Sequence, residues 1–274
     1  MRDFSTELAI MVKLRSPRIV QVFGVVTTDA SYLGLVVEMC AGGTLREALD
    51  ADDYATSVDE KQRRSWLSDI ALGMAYLYSK GVEHRDLNAL NVLLDGTRRC
   101  KVTDFGLSKS ESLATAATQA TAGGDAKGTP AYMAPELLQH NIFTEKGDVY
   151  AYGMIVIEVL TGDTPWSGLN QMQIMMQVCI QKERPKLDGD APADLVALMQ
   201  RCWAHEPDAR PTFAAIRAEL AAGAASPVAS RIKASPSVLP MVTPTDAAAT
   251  HFPPSGAPRR QAPDLEDQVS PHRF

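Results

Sequence analysis

The sequence predicts an α+β fold of unequal parts, with a little sheet and one helix first and a mostly helical body after them. Three observations carry that expectation. Two strand-like runs, IVQVFGVVT (19–27) and YLGLVVEM (32–39), stand close together near the start. From Lys146 onward apolar residues recur every three or four positions, as on a helix face. And 45% of the 274 residues are hydrophobic, enough to bury a substantial core.

Each element has its own reason. Residues 3–14 read as a helix, with Phe4, Leu8, Met11 and Val12 at helical spacing. The two strands follow. After the AGG turn, TLREALD opens on Thr44, a cap residue, and reads as a short helix. Trp66, Ile70, Met74 and Leu77 mark a longer helix that stops at Gly81. NVLLD and CKVTD are short strands, and the turn DGTRR between them makes a hairpin. KGDVYAYGMIVIEVLTG, NQMQIMMQVCI, DLVALMQRCW and TFAAIRAEL supply the helical body. Composition breaks near residue 222: nine of the 17 prolines lie between Pro227 and Pro271, among Ala, Ser and Thr. Such a stretch buries too little apolar surface to offset its ordering entropy, so 1–221 is expected as the folded domain and 222–274 as a disordered tail.

The formal charge of −6 argues against a nucleic-acid-binding surface. Cys40, Cys100, Cys179 and Cys202 have no CxxC or metal-like spacing and read as reduced core thiols of a cytoplasmic protein. The N-terminus shows no secretory pattern. The longest apolar stretch, AYGMIVIEVL, is broken by Glu158 and too short to span a bilayer.

The chemistry concentrates in HRDLNALNVLL. Asp86 precedes an apolar strand, Asn91 follows five positions later, and Asp104 ends the partner strand thirteen residues on. A carboxylate beside a substrate hydroxyl can orient it and accept its proton. An amide oxygen and a second carboxylate, brought together by the hairpin, can seat a hard cation such as Mg²⁺ on a polyphosphate. Singly, each of these residues is as well a cap or a turn residue. Their order and spacing favour chemistry.

HRDLNALN, DFG, GTPAYMAPE, DVYAYGM and RCWAHEPDARPTF together resemble the catalytic and helical lobes of eukaryotic protein kinases, the tyrosine-kinase-like Ser/Thr branch above all. The resemblance covers residues 3–221. It implies a bilobal fold, ATP and Mg²⁺ as cofactors, a protein substrate's Ser/Thr hydroxyl as acceptor and a role in signal transduction. By it Asp86 is the acid–base group, Asn91 and Asp104 hold Mg²⁺, and Arg85 pairs with a phosphate set on the activation segment by an upstream kinase. Val37 becomes the gatekeeper, Glu38 and Cys40 offer backbone groups to adenine, and Leu93 lies beneath the ring. His84 and Phe105 pack beneath Met11 and Val22. Glu7 matches the C-helix glutamate, though on residues alone it reads equally as a solvated charge. Residues 104–136 become the activation segment. Its Thr115, Thr118 and Thr121 are candidate phosphosites or plain loop polarity. Gly128, Thr129 and Pro130 form the peptide-docking turn, with Thr129 near Asp86. Glu136 and Arg210 form a buried ion pair, and Asp148 holds the catalytic-loop backbone.

Two departures stand out. The family's glycine-rich loop and lysine strand precede the C-helix, which here begins at about residue 3, so the N-terminal lobe is expected to be truncated. Asn88 stands where Ser/Thr kinases carry a lysine that touches the transferred phosphate; it can donate a hydrogen bond but brings no charge. A pseudokinase or scaffold module is therefore the alternative reading. A small-molecule phosphotransferase shares the Asp…Asn loop, but the activation segment and the Glu136–Arg210 match argue against it.

Overall fold

A computed structural model describes residues 11–29, 32–105, 129–223 and 231–232. The chain opens with an antiparallel hairpin, β1 (Val22–Asp29) and β2 (Tyr32–Val37). Two short helices follow, α1 (Leu45–Leu49) and α2 (Tyr54–Ser57), then the long α3 (Glu60–Ser79). A second hairpin joins β3 (Val92–Leu94) to β4 (Cys100–Val102). The body continues with α4 (Pro135–His140), α5 (Glu145–Thr161) and α6 (Gln171–Met175), the last running into a π turn over Met176–Ile180. Strand β5 (Ala191–Pro192), α7 (Ala193–Cys202) and α8 (Phe213–Gly223) follow, and β6 (Arg231–Ile232) pairs back onto β5. This is the α+β arrangement that the sequence predicts.

Helix α5 organises the body because it has no polar face. From Val149 to Ile157 its residues are apolar or glycine and all are buried, the pattern of a helix surrounded by protein. Gly153 lets α7 close on it: a Cβ there would lie 3.1 Å from both the Cys202 Cβ and the Trp203 amide. Helix α3 brings Trp66, Leu67, Ile70, Met74 and Leu77 to the same core. Helix α8 packs on α3, with Phe213 stacked on Tyr78 at 5.7 Å between ring centroids.

The local signals behave as expected. Thr44 caps α1 in a capping box with Glu47, Asp59 caps α3, and α3 ends just before Gly81, whose φ is +69°. Asp95 closes the second hairpin by accepting from the Thr97 and Arg99 amides. Helix α4 starts with Pro135 at its first turn, where the missing N–H costs nothing. The composition break at 222 falls in the last turn of α8, and Arg231–Ile232 is a paired strand. Of the expected helix 3–14, only the end is described: Met11 is its last helical residue and is buried.

The first hairpin meets the body through residues 18–20. Val20 donates to the Val102 carbonyl at 2.8 Å and Val102 donates to Arg18 at 3.0 Å. This stretch lies on α3 because Gly73 offers no side chain: a Cβ would sit 2.5 Å from the Arg18 carbonyl oxygen. One turn earlier, fully buried Asp69 accepts from Arg18 Nε at 2.9 Å, Arg99 Nε at 2.7 Å and the Cys100 amide at 3.1 Å.

Candidate active site

The loop from His84 to Asn91 is held by its own side chains. Asn91 does not start the strand, as expected, but ends a 3-10 turn over Ala89–Asn91. Asn88 causes the turn: its Oδ1 accepts from the Leu90 and Asn91 amides at 2.9 and 3.1 Å. Its Nδ2 donates to the Asp86 carbonyl at 3.1 Å and to Asp86 Oδ1 at 3.3 Å. Only 4% exposed, Asn88 is folded into the loop, and the hydrogen bonds it donates go to Asp86. Asn91 Nδ2 donates to Asp86 Oδ2 at 3.1 Å and to the Asp86 carbonyl at 2.8 Å. One amide thus holds each oxygen of the half-buried Asp86 carboxylate.

Asp148, at the start of α5, fixes the other end of the loop. It accepts from the His84 and Arg85 amides, each at 2.9 Å, and from the Tyr78 hydroxyl at 2.6 Å. Burial pushes its carboxyl up to about 6 despite these donors. Arg85 needs the anchorage, because it holds a left-handed φ of +71°. Its guanidinium donates to Glu83 Oε2 from Nε at 2.9 Å and Nη2 at 2.7 Å, and lies 5.4 Å from the Phe143 ring centroid. His84 is fully buried, and burial lowers its pKa to about 4, so at neutral pH it is an uncharged packing residue. Its Nδ1 accepts from the Asp86 amide at 3.3 Å. Phe105, Met11 and Val22 are buried in the hydrophobic core.

The second hairpin sets Asn91 opposite Thr103, one residue before Asp104. Val92 pairs with Val102, and Thr103 donates to the Asn91 carbonyl at 3.0 Å. Asp104 is the next residue; a φ of +56° turns it out of the ladder and leaves it exposed. Asp86 and Asp104 both act electrostatically on His84, so the two acids share one neighbourhood. Because Asn91 turns its amide nitrogen to Asp86, its Oδ1 remains for another partner. One amide oxygen and one carboxylate fit Mg²⁺, which binds proteins through few ligands and keeps phosphate oxygens and water for the rest.

Val37 ends β2 half-exposed. The Glu38 amide donates to Gln21 at 2.8 Å, and its carboxylate pairs with Lys101 Nζ at 2.8 Å. Among the described residues, neither the Glu38 carbonyl nor the Cys40 amide is used in a backbone hydrogen bond. The turn that follows lies on β3: Gly42 donates to Leu94 at 2.9 Å, and a Cβ on Gly42 would be 2.7 Å from the Leu94 Cβ. Leu93 stands next to that contact, half-buried.

Thr129–Tyr132 is a 3-10 turn. Arg210, 1% exposed, grips Glu136 at 2.6 and 2.8 Å and donates to the Ala204, Lys146 and His205 carbonyls. All five of its donors are engaged. Glu7, Gly128, and Thr115, Thr118 and Thr121 of the activation segment lie outside the described residues. Sequence reasoning missed Tyr78, Glu83, Phe143 and Lys101. Only Lys101 carried a usable signal, as the one charge in a strand otherwise buried on both sides.

Comparison with known proteins agrees with this geometry. Residues 1–220 match the family model described as protein tyrosine and serine/threonine kinase. The chain is 36% identical over 216 residues to the serine/threonine-protein kinase CTR1 of Arabidopsis thaliana, which covers 78% of this chain and 26% of that protein. It is 35% identical over 220 residues to the serine/threonine/tyrosine-protein kinase HT1 of the same plant, covering 80% and 54%. To the dual specificity protein kinase shkD of Dictyostelium discoideum it is 36% identical over 216 residues, covering 78% and 28%. The chain thus spans between about a quarter and a half of these relatives' lengths. Family match and loop geometry agree: this chain belongs to the protein kinase family, with serine/threonine and dual specificity protein kinases among its relatives.

Proposed function

We propose that the chain is an ATP- and Mg²⁺-dependent protein phosphotransferase directed at serine and threonine. One observation carries the reading: the Asp86 carboxylate is held at both oxygens by Asn88 and Asn91, while Asn91 keeps its own oxygen for a cation. Asp86 so placed orients the acceptor hydroxyl and takes its proton. Asn91 and Asp104 hold Mg²⁺, which neutralises charge on the ATP phosphates when bound. The Glu38 carbonyl and Cys40 amide meet adenine, with Leu93 below and Val37 behind. Beside Asp86 a cleft walled by Met133, Leu137, Ile142 and Phe143 receives the substrate chain, which favours apolar residues next to the acceptor.

Arg85 is the residue through which an upstream kinase acts. A phosphate on Thr115, Thr118 or Thr121 competes with Glu83 for its guanidinium. Four free thiols and the helix lengths fit a cytoplasmic site of action; among the described residues no helix is long and apolar enough to cross a membrane.

The test is phosphotransfer from Mg-ATP to Ser, Thr and Tyr peptides by the wild-type chain and by Asp86→Asn. We expect Ser/Thr labelling that EDTA abolishes and that Asp86→Asn lowers by about 10²–10⁴-fold. Full activity in Asp86→Asn overturns the assignment. No turnover together with no thermal shift on adding Mg-ATP makes the chain a scaffold.

A further inference from the structure

Glu158 of α5 is wholly buried and belongs to neither the loop nor the metal site. Its Oε2 accepts from the Tyr132 hydroxyl at 2.7 Å, and its Oε1 accepts from Arg46 Nη1. Arg46 also donates from Nη2 to the Gly162 carbonyl at 2.6 Å and pairs with Asp50 at 2.9 Å. The two ends of this chain of contacts matter. Tyr132 closes the Thr129–Tyr132 turn, and its hydroxyl feels the Ala89 amide of the catalytic loop electrostatically. Arg46 sits on α1, which follows the hinge glycines and packs on the Ala89–Asn91 turn.

We infer that Arg46 is a positioning residue: through Glu158 and Tyr132 it fixes the peptide-side turn and the catalytic loop in register with Asp86. The inference rests on the kinase reading and goes beyond it by naming what aligns the acceptor peptide. A buried carboxyl without a cation protonates, and a protonated Glu158 loses acceptor capacity toward Tyr132. The groups facing it are Arg46 of α1, Asp50 just past its end, Tyr54 of α2 and Tyr132 of the turn. Burial raises the Glu158 pKa and Asp50 adds to that, while Tyr132 and Arg46 oppose it. Removing Arg46 therefore moves its titration further up.

The experiment compares the full chain with Arg46→Lys, Arg46→Met, and a neutral pair, Arg46→Met with Glu158→Gln, in two measurements. In peptide phosphorylation, Arg46→Met should raise the KM for peptide by about tenfold while the KM for ATP stays within about twofold, as expected for one lost charge-assisted contact. Its acid limb should begin at higher pH. Arg46→Lys should restore both. The neutral pair should fold normally and show no displaced limb, because nothing titrates at position 158.

In hydrogen exchange, the amides of 86–91 and 129–133 should open faster in Arg46→Met while those of α3 and α8 stay protected. Should the wild-type chain show no phosphotransfer, the kinase reading fails, yet exchange still decides the role of Arg46. Unchanged exchange in both segments overturns the inference. So does a loss of protection spread evenly over α3 and α8, which would make Arg46 a general stabiliser.

Discussion

Around Arg210, five carbonyl and carboxylate oxygens take five donors; around Phe23, 62% of the side chain faces outward. The two places typify the body and the first hairpin. In the body, buried charge is partnered: Asp148 by three donors, Asp69 by two arginines and an amide, Glu158 by Arg46 and Tyr132. In β1–β2, Phe23, Val25, Val26, Val36 and Val37 are exposed on both faces, and Met39 beyond them is 87% exposed. The hairpin is held by its backbone ladder, by the 18–20 junction and at its root by buried Val22; the body is held throughout by side chains. Damage to one should therefore leave the other largely intact, and the catalytic loop belongs to the better-held half.

The sharpest break comes from Arg210→Met. It leaves Glu136 without its cation, and removing one partner of a buried pair costs about 3–5 kcal/mol. Urea denaturation should show that loss, with helical signal melting as one transition. A cost below about 1 kcal/mol would mean that side-chain partners do not hold the body, since breaking a buried pair normally costs far more.

Acid distinguishes the regions next, because the exposed β1–β2 residues above carry no titrating group. His84 titrates in the folded state at about 4, below its ordinary value of 6.5. The unfolded chain therefore takes up the proton first. Stability from His84 is complete above pH 6.5 and is lost as pH falls toward 4, by about 3 kcal/mol in all. Asp148 works in reverse: raised from 3.8 to about 6, it makes folding more favourable as pH falls through that window. Wild-type stability should change little from pH 6 to 4. Asp148→Asn removes the opposing contribution, and its stability should fall over the same range. A flat profile in that variant would remove His84 from the account.

Much of this was legible in the residues. Thr44, Gly81 and the hairpin turn at Asp95 act through neighbours in sequence, so local pattern suffices to place them. The five-residue spacing of Asp86 and Asn91 gave their proximity, and the 3-10 turn explains why it works. Orientation was not legible. Asn88 turns inward because two loop amides need its oxygen, which a strand reading of Asn91 leaves out. Tyr78 on Asp148 depends on where α3 and α5 cross, and no sequence period encodes that. The fold followed from periodicity; the partners followed from tertiary contact.

Gly73→Ala probes the joint between the regions. The added methyl meets the Arg18 carbonyl oxygen at 2.5 Å and Val102 Cγ2 at 3.1 Å, so backbone must move. The cost should be about 1–3 kcal/mol, as for other overpacked sites. Exchange should quicken at Val20 and Val102, whose amides bridge the joint, and stay slow in α5.

The smallest effect belongs to the hairpin itself. Phe23→Thr and Val25→Thr each replace an exposed apolar side chain with a β-branched polar one that strands accept. Little buried area is lost, so each should change stability by no more than about 0.5 kcal/mol. Both variants should also be more soluble, because the outward apolar surface shrinks. Equilibrium denaturation and light scattering would measure the two outcomes. A loss as large as that of Arg210→Met would mean that these side chains are packed, and the two regions would then no longer differ in how they are held.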